Sequence, residues 1–423
     1  MNILLTRLVY FLGLISLFLE NSIRLDLKFI FLFWILQILR IGLFKKINSR
    51  DLIFLTLLIM LFLIPSISIY FYYKLDLTNI LIIVVIFYDL LRKFFSDYKY
   101  YNFYSKNIYV NQLSRYVIYL ILVTWSISAP FFFGQGNHLL GMLSFMFPTA
   151  ISLVIFEKIL RNNRSVYQGA ILLFIHFGFV IIYLSNHWSG FGRLFLGFYI
   201  LAPIIIYMTV YKISFRPWMI LLISPIALFL LQYARFKSQL SLEDTLISSA
   251  GFHLILTDMV NMNNYSFNNQ GLQAFFEQFQ LMFFSWFPRE IWFSKPVGIS
   301  YWSVDVMFDR SKIINGPSYS QSMGFIGEQI LLLKHYYIAG LLLCLISLII
   351  IRKIIVYFSY GSNVPAIIFD LHLMSYFWGG MATFGSRVWF LLIPLLIYNF
   401  IRHKLLLGYV EQIQNNTKNH VKG

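Results

Sequence analysis

The sequence predicts an all-α polytopic integral membrane protein with about twelve transmembrane helices and one large extracytoplasmic loop. Three observations predict this class. Of the 423 residues, 59% are hydrophobic and 12% charged, whereas soluble globules average about a quarter charged. Apolar stretches such as 52–72 and 326–351 reach the roughly 20 residues needed to cross about 30 Å of hydrocarbon. Residues 235–325 then interrupt the series without a spanning run. Backbone groups inside hydrocarbon must be paired within their own segment, so the spans are helices.

The elements follow in order. Residues 1–234 form an N-terminal bundle of nine spans at 3–19, 28–44, 52–72, 77–91, 116–133, 139–157, 166–184, 194–211 and 218–234. The first lacks a small-residue cleavage site and runs into Leu19-Glu20-Asn21-Ser22, so it reads as a retained span rather than a signal peptide. After the loop at 235–325 come spans at 326–351, 365–382 and 388–401 and a tail at 402–423. Connections assigned to the inside carry Lys45, Lys46, Arg92, Lys93, Arg115, Lys158, Arg161, Lys212, Arg352 and Lys353, whereas the short outer ones carry Arg24, Lys28, Lys74, Arg193 and Arg387. That asymmetry places both termini in the cytoplasm and the long loop outside. The loop itself is near neutral. The net charge of +16 therefore lies on the inner face, where anionic membrane lipid explains it and nucleic acid is not an expected partner. The single cysteine, Cys344, sits mid-span and can form no internal disulfide.

Within the loop, Leu272, Phe275, Phe276, Phe279, Phe283 and Trp286 recur at helical spacing, with Gln273, Glu277 and Gln280 on another face. This spacing predicts an amphipathic helix lying in the membrane interface. Phe287-Pro288 ends it, and Trp292-Phe293-Ser294-Lys295-Pro296 follows as an aromatic strip at headgroup depth. A loop of this kind seals the bundle; it also suits a cover over a lipid-linked substrate.

The chemistry is set by what the polar residues allow. The sequence has no Gly-rich phosphate loop, no Asp-x-Asp pair and no histidines at metal spacing, so neither a metal nor another cofactor is expected. Outside the membrane stand Arg193, Arg235, Arg289, Arg310 and Arg387 with Glu328. Arginine suits a diphosphate because its planar fork binds two oxygens and stays charged. The plainer reading of each is a snorkelling or capping residue. Glu328 is the best-placed outer acid because it opens a span, where it serves as a base or caps the helix N-terminus. His187 lies in an outer loop, and His176, mid-span, reads as a helix–helix hydrogen bond.

Three segments carry a resemblance. Ser189-Gly190-Phe191-Gly192-Arg193-Leu194 resembles an element of bacterial lipid-linked oligosaccharide polymerases and O-antigen ligases. Trp286 through Trp292, continuing to Lys295-Pro296, resembles a strip of Wzy-type repeat-unit polymerases. Ser320 through Glu328 resembles their entry into the next helix. In the family a Ser directly precedes the first Arg, whereas Gly192 stands there in this chain. The resemblance implies a glycosyltransferase of the bacterial inner membrane that polymerises undecaprenyl-diphosphate-linked repeat units at the periplasmic face. Its catalytic residues would be Glu328, Arg289 and Arg193. Arg235, Lys295, Arg310, Arg387, Trp292, His187 and His335 would bind substrate. The sequence leaves open whether a chain-length regulator binds.

Three alternatives compete. His335, seven residues beyond Glu328, keeps an O-antigen ligase in view. A flippase or exporter of the same glycan would place charged residues within its spans, whereas here they are read as lying outside, which favours chemistry. A membrane acyltransferase would need a histidine centre, and His372 beside Asp370 falls on the inner side.

Overall fold

In the computed structural model every regular element among the described residues is a helix. The structure describes residues 49–58, 87, 90–91, 93–95, 112–133, 138–162, 165–187, 193–214, 216, 271–289, 291–300 and 323–420. The expected spans 3–19, 28–44 and 218–234, and most of 52–72 and 77–91, lie outside them. The helices are α1 (Ser49–Leu58), α2 (Gln112–Phe133), α3 (His138–Asn162), α4 (Val166–His187), α5 (Arg193–Tyr211), α6 (Gly271–Phe284), α7 (Gly324–Leu333), α8 (Tyr337–Phe358) and α9 (Val364–His420). Tyr337–Phe358 and Val364–Lys404 are long and apolar enough to cross a bilayer, consistent with a membrane protein.

Helices α2–α5 pack through a polar knot. Tyr119 bonds His176 Nδ1 at 2.8 Å, and His176 Nε2 contacts the Tyr199 carbonyl at 3.3 Å. The Tyr199 hydroxyl meets Ser126 at 2.8 Å and Thr149 at 2.9 Å. Thus His176 joins three helices by hydrogen bonds, the way a bundle in lipid is held when no hydrophobic drive separates helix from solvent. Outward faces are apolar: Ile121, Ile171, Phe174 and Ile181 are all exposed.

Of the three expected C-terminal spans the first is interrupted, and the turn between the other two falls at Gly380 rather than after 382. The stretch 326–351 is broken: α7 ends at Leu333, Lys334 adopts φ 50°, and a 3-10 turn at Lys334–Tyr336 leads into α8. Gln329 of α7 lies against Gly340 of α8, eleven positions on, so α7 folds back onto the start of α8 as an elbow. Ten residues rise only about 15 Å, about half a bilayer.

Helix α9 also folds back. A straight rod would separate 364 from 403 by roughly 60 Å, yet the Tyr360 and His403 rings stack at 4.4 Å. The reversal is at Gly380, whose φ/ψ of 75°/−165° is not helical. The pairs Tyr376–Phe384 and Tyr360–Phe400, at 6.1 and 6.3 Å, run symmetrically about it. Two arms, 364–379 and 381–404, therefore lie antiparallel. The chain enters the first through Asn363 and Pro365, suited to a helix start. The far ends of both arms meet α3: Glu157 accepts from Ser362 Oγ at 2.6 Å, and Lys158 donates to the Tyr398 hydroxyl at 2.7 Å.

Helix α6 appears where the spacing placed one, but it is docked on protein. Phe275, Gln278, Leu281 and Met282 are buried, and Trp389 of the second arm donates to the Met282 carbonyl at 2.8 Å. Leu272, Phe276 and Phe284 stay exposed. Gln278 turns inward because its amide clasps the following loop: it donates to the Val297 carbonyl at 2.8 Å and accepts from Ile299 N at 3.0 Å.

Candidate active site at a helix break

The site begins with a glycine. At φ 75° Gly380 occupies the left-handed region, which favours a residue without Cβ. A Cβ there would also run into the Glu328 carboxylate. Breaking the helix at this point exposes backbone N–H groups at the start of the second arm. One is satisfied from another helix: Met381 N donates to Glu328 Oε2 at 2.9 Å. Glu328 is wholly buried, and its Oε1 has no hydrogen-bond partner among the described residues. The expected alternative for Glu328 was a cap on its own helix. Instead it sits inside α7 and caps the second arm of α9, at the positive end of that arm's dipole.

Further polar groups surround this carboxylate. The Tyr376 hydroxyl and the Cys344 thiol lie close enough to act on each other and on Glu328. The thiol is 3.6 Å from Met381 Sδ. Gln329, the next residue, is fully buried with neither amide atom bonded among the described residues. The walls are aromatic, with Phe325 5.0 Å from both Phe87 and Phe377.

Arg387, expected in a short outer connection, lies instead within the second arm. It is seven residues past Gly380, two turns along the same face. Its Nη1 is buried without a hydrogen-bond partner among the described residues. His372, on the first arm, is near enough to feel Arg387; its Nδ1 donates to the Ile368 carbonyl at 2.7 Å and its ring meets Phe198 at 4.9 Å. Further along, Arg352 grips Asp370 with two bonds, 2.8 and 2.9 Å, both side chains buried. Arg352 also lies 4.5 Å over the Phe95 ring. Expected in a connection, it belongs to α8, because a buried carboxylate on α9 holds it there. Ionisable groups thus lie within the helical body, contrary to the expectation that they stand outside.

The loop residues form a second group. Arg289 donates through its two terminal nitrogens to the carbonyls of Lys295, at 2.7 Å, and Pro296, at 3.2 Å. Lys295 Nζ donates to the carbonyls of Ser285 and Phe287 at 2.6 and 2.8 Å, closing the end of α6. Trp292 is half-buried between them. The Arg289 fork thus cinches a loop in the resting protein. Of the remaining expected residues, Arg193 opens α5, His187 ends α4, and His335 lies in the elbow between α7 and α8. Arg235 and Arg310 lie outside the described residues.

Sequence reasoning passed over Gly380, Gln329 and Tyr376. A signal for the first existed: Gly379-Gly380 in an expected span punctuates a helix. No family model matches this chain, and no curated protein or solved structure matches it.

Proposed function

We propose that this protein is a membrane-embedded glycosyltransferase that polymerises repeat units carried on undecaprenyl diphosphate, with Glu328 as its base. The observation that supports this reading most is the state of the Glu328 carboxylate. One oxygen is fixed by Met381 N–H and the other is buried and unbonded in an aromatic-walled site. Such a group is oriented to accept a proton. In the step proposed, the acceptor sugar hydroxyl gives its proton to Oε1 as its oxygen bonds the donor's anomeric carbon. The bond from that carbon to the diphosphate breaks, and the departing diphosphate keeps the electron pair. Arginines offset the charge it carries; Arg387, seven residues past Gly380 and with a buried, unbonded Nη1, is one of them, and Arg193, Arg235, Arg289 and Arg310 are the others proposed. The sugar–diphosphate bond supplies the driving energy.

A second reading, a flippase or exporter of the same lipid-linked glycan, is favoured by the buried ionisable residues: Glu328, Arg387 and the Arg352–Asp370 pair. Ionisable groups inside a helical body commonly mark a transport path. One experiment separates the two. Cells carrying Glu328→Gln at normal membrane levels would, for the polymerase, display surface core capped with at most one repeat unit. Loss of even that single unit, with lipid-linked repeats accumulating inside, would favour export. A normal ladder of long chains would remove Glu328 from either role.

A further inference from the structure

At the end of the helical body remote from Gly380, three cations from two helices gather at one carboxylate, with a fourth from another helix beside them. Arg115 lies in the first turn of α2, Lys158 and Arg161 end α3, and Arg402 lies near the end of the second arm. The carboxylate is Glu157, and both its oxygens are engaged. Oε1 accepts from Arg161 Nη2 at 2.6 Å and Asn363 N at 3.1 Å, and Oε2 accepts from Ser362 Oγ at 2.6 Å. Arg115, Lys158 and Arg402 are left half-buried and close enough to repel one another. The Lys158 amine, whose hydrogen bond goes to the neutral Tyr398 hydroxyl, is pushed down to about 7, first by burial and then by Arg402 and Arg115. Like charges gathered out of water are unfavourable unless an anion completes them.

We propose that Arg115, Lys158 and Arg402 bind the phosphate headgroup of an anionic phospholipid. Two guanidinium forks and an ammonium match a phosphate diester, and basic pockets between helices at a membrane edge are built for such headgroups. The apolar surroundings select lipid over a free ion. Ile118, 43% exposed, lies one turn along from Arg115, and Ile397 and Ile401, 53% and 52% exposed, share an adjoining face of the second arm just before Arg402. An acyl chain would cover them; inorganic phosphate would leave them bare. The charge pattern reads this end as cytoplasmic, the leaflet face where anionic lipids act. The site is remote from Glu328 and stands whether or not the glycosyltransferase reading does.

The test is thermal melting of the full-length protein in neutral detergent, with added phosphatidylglycerol, phosphatidylcholine or millimolar inorganic phosphate. Phosphatidylglycerol should raise Tm in a saturable way, phosphatidylcholine should not, and phosphate should neither reproduce nor abolish the shift. Arg115→Gln with Arg402→Gln should weaken the apparent affinity roughly tenfold or more. Equal shifts with both lipids, an equal shift with phosphate alone, or full affinity in the double variant would each overturn the proposal. Should that variant fail to accumulate, Lys158→Gln replaces it, and the wild-type comparison decides by itself.

Discussion

At the residue scale, Gly380 and Glu328 are a matched pair, and substitutions at each separate shape from chemistry. In Gly380→Ala the new methyl meets both a positive φ and the Glu328 carboxylate. The variant should lose about 1–3 kcal/mol of stability, read as a lower Tm in detergent, together with its activity. An unchanged Tm would show that the break does not depend on glycine. Arg352 and Asp370 give a different pattern. Removing one partner, as in Asp370→Ala, strands a buried charge and should cost about 3–5 kcal/mol. The apolar pair Arg352→Met with Asp370→Leu should recover most of that loss. If the double variant melts as low as the single, the pair is not acting through charge burial. Lys295→Met should loosen the loop after α6 by roughly 1–3 kcal/mol, since two carbonyls lose a charged donor. Faster limited proteolysis within 285–300 would report it, whereas an unchanged cleavage rate would mean that the Arg289 and Gln278 bonds suffice.

At the element scale, the fold-back of α9 makes the sharpest geometric claim. Tyr360→Cys with His403→Cys should form a disulfide under mild oxidation, because the two rings stack at 4.4 Å. A straight helix would hold them roughly 60 Å apart, and no crosslink would form. Much of the helical content was legible beforehand. Runs of apolar residues with few breaks marked 116–133, 139–157, 166–184 and 194–211, which correspond to α2 through α5. Hydropathy could not see the elbow at Lys334–Tyr336, because one apolar run was read straight through it. It did separate 365–382 from 388–401, so a reversal was expected, but after 382 rather than at Gly380. What decides those points is local: a left-handed lysine, a left-handed glycine, and a carboxylate far away in sequence that satisfies the opened backbone. Glu328 could be picked as the outer acid, but its partner Met381 N–H could not, since backbone groups leave no residue-type signal. Gln278 was missed for a related reason. It belonged to neither the apolar nor the polar set read from the spacing, and its amide bonds a loop that folds over it.

At the scale of the whole molecule, the polar chemistry of the described residues beyond the α2–α5 knot is gathered at two levels. One holds Glu328, Gln329, Tyr376 and Cys344 around the break. The other holds Glu157, Arg161 and the cations beside them where both arms of α9 return. Between them, Arg352–Asp370 spans α8 and the first arm as a cross-tie. This layout explains why reading charged residues into connections misplaced some of them: Arg352 and Arg161 lie within helices, each paired with a buried carboxylate.

The reversal at Gly380 also bears on how such a chain is made. The first arm, 364–379, rises only about 24 Å, short of the roughly 30 Å that a lone segment must cover. It carries Asp370 and His372, which hydrocarbon does not welcome unaccompanied. As it leaves the ribosome it cannot settle in lipid alone. Its aspartate needs the arginine that α8 has already delivered. In a bilayer, therefore, the short first arm would enter together with the longer second arm, as a hairpin.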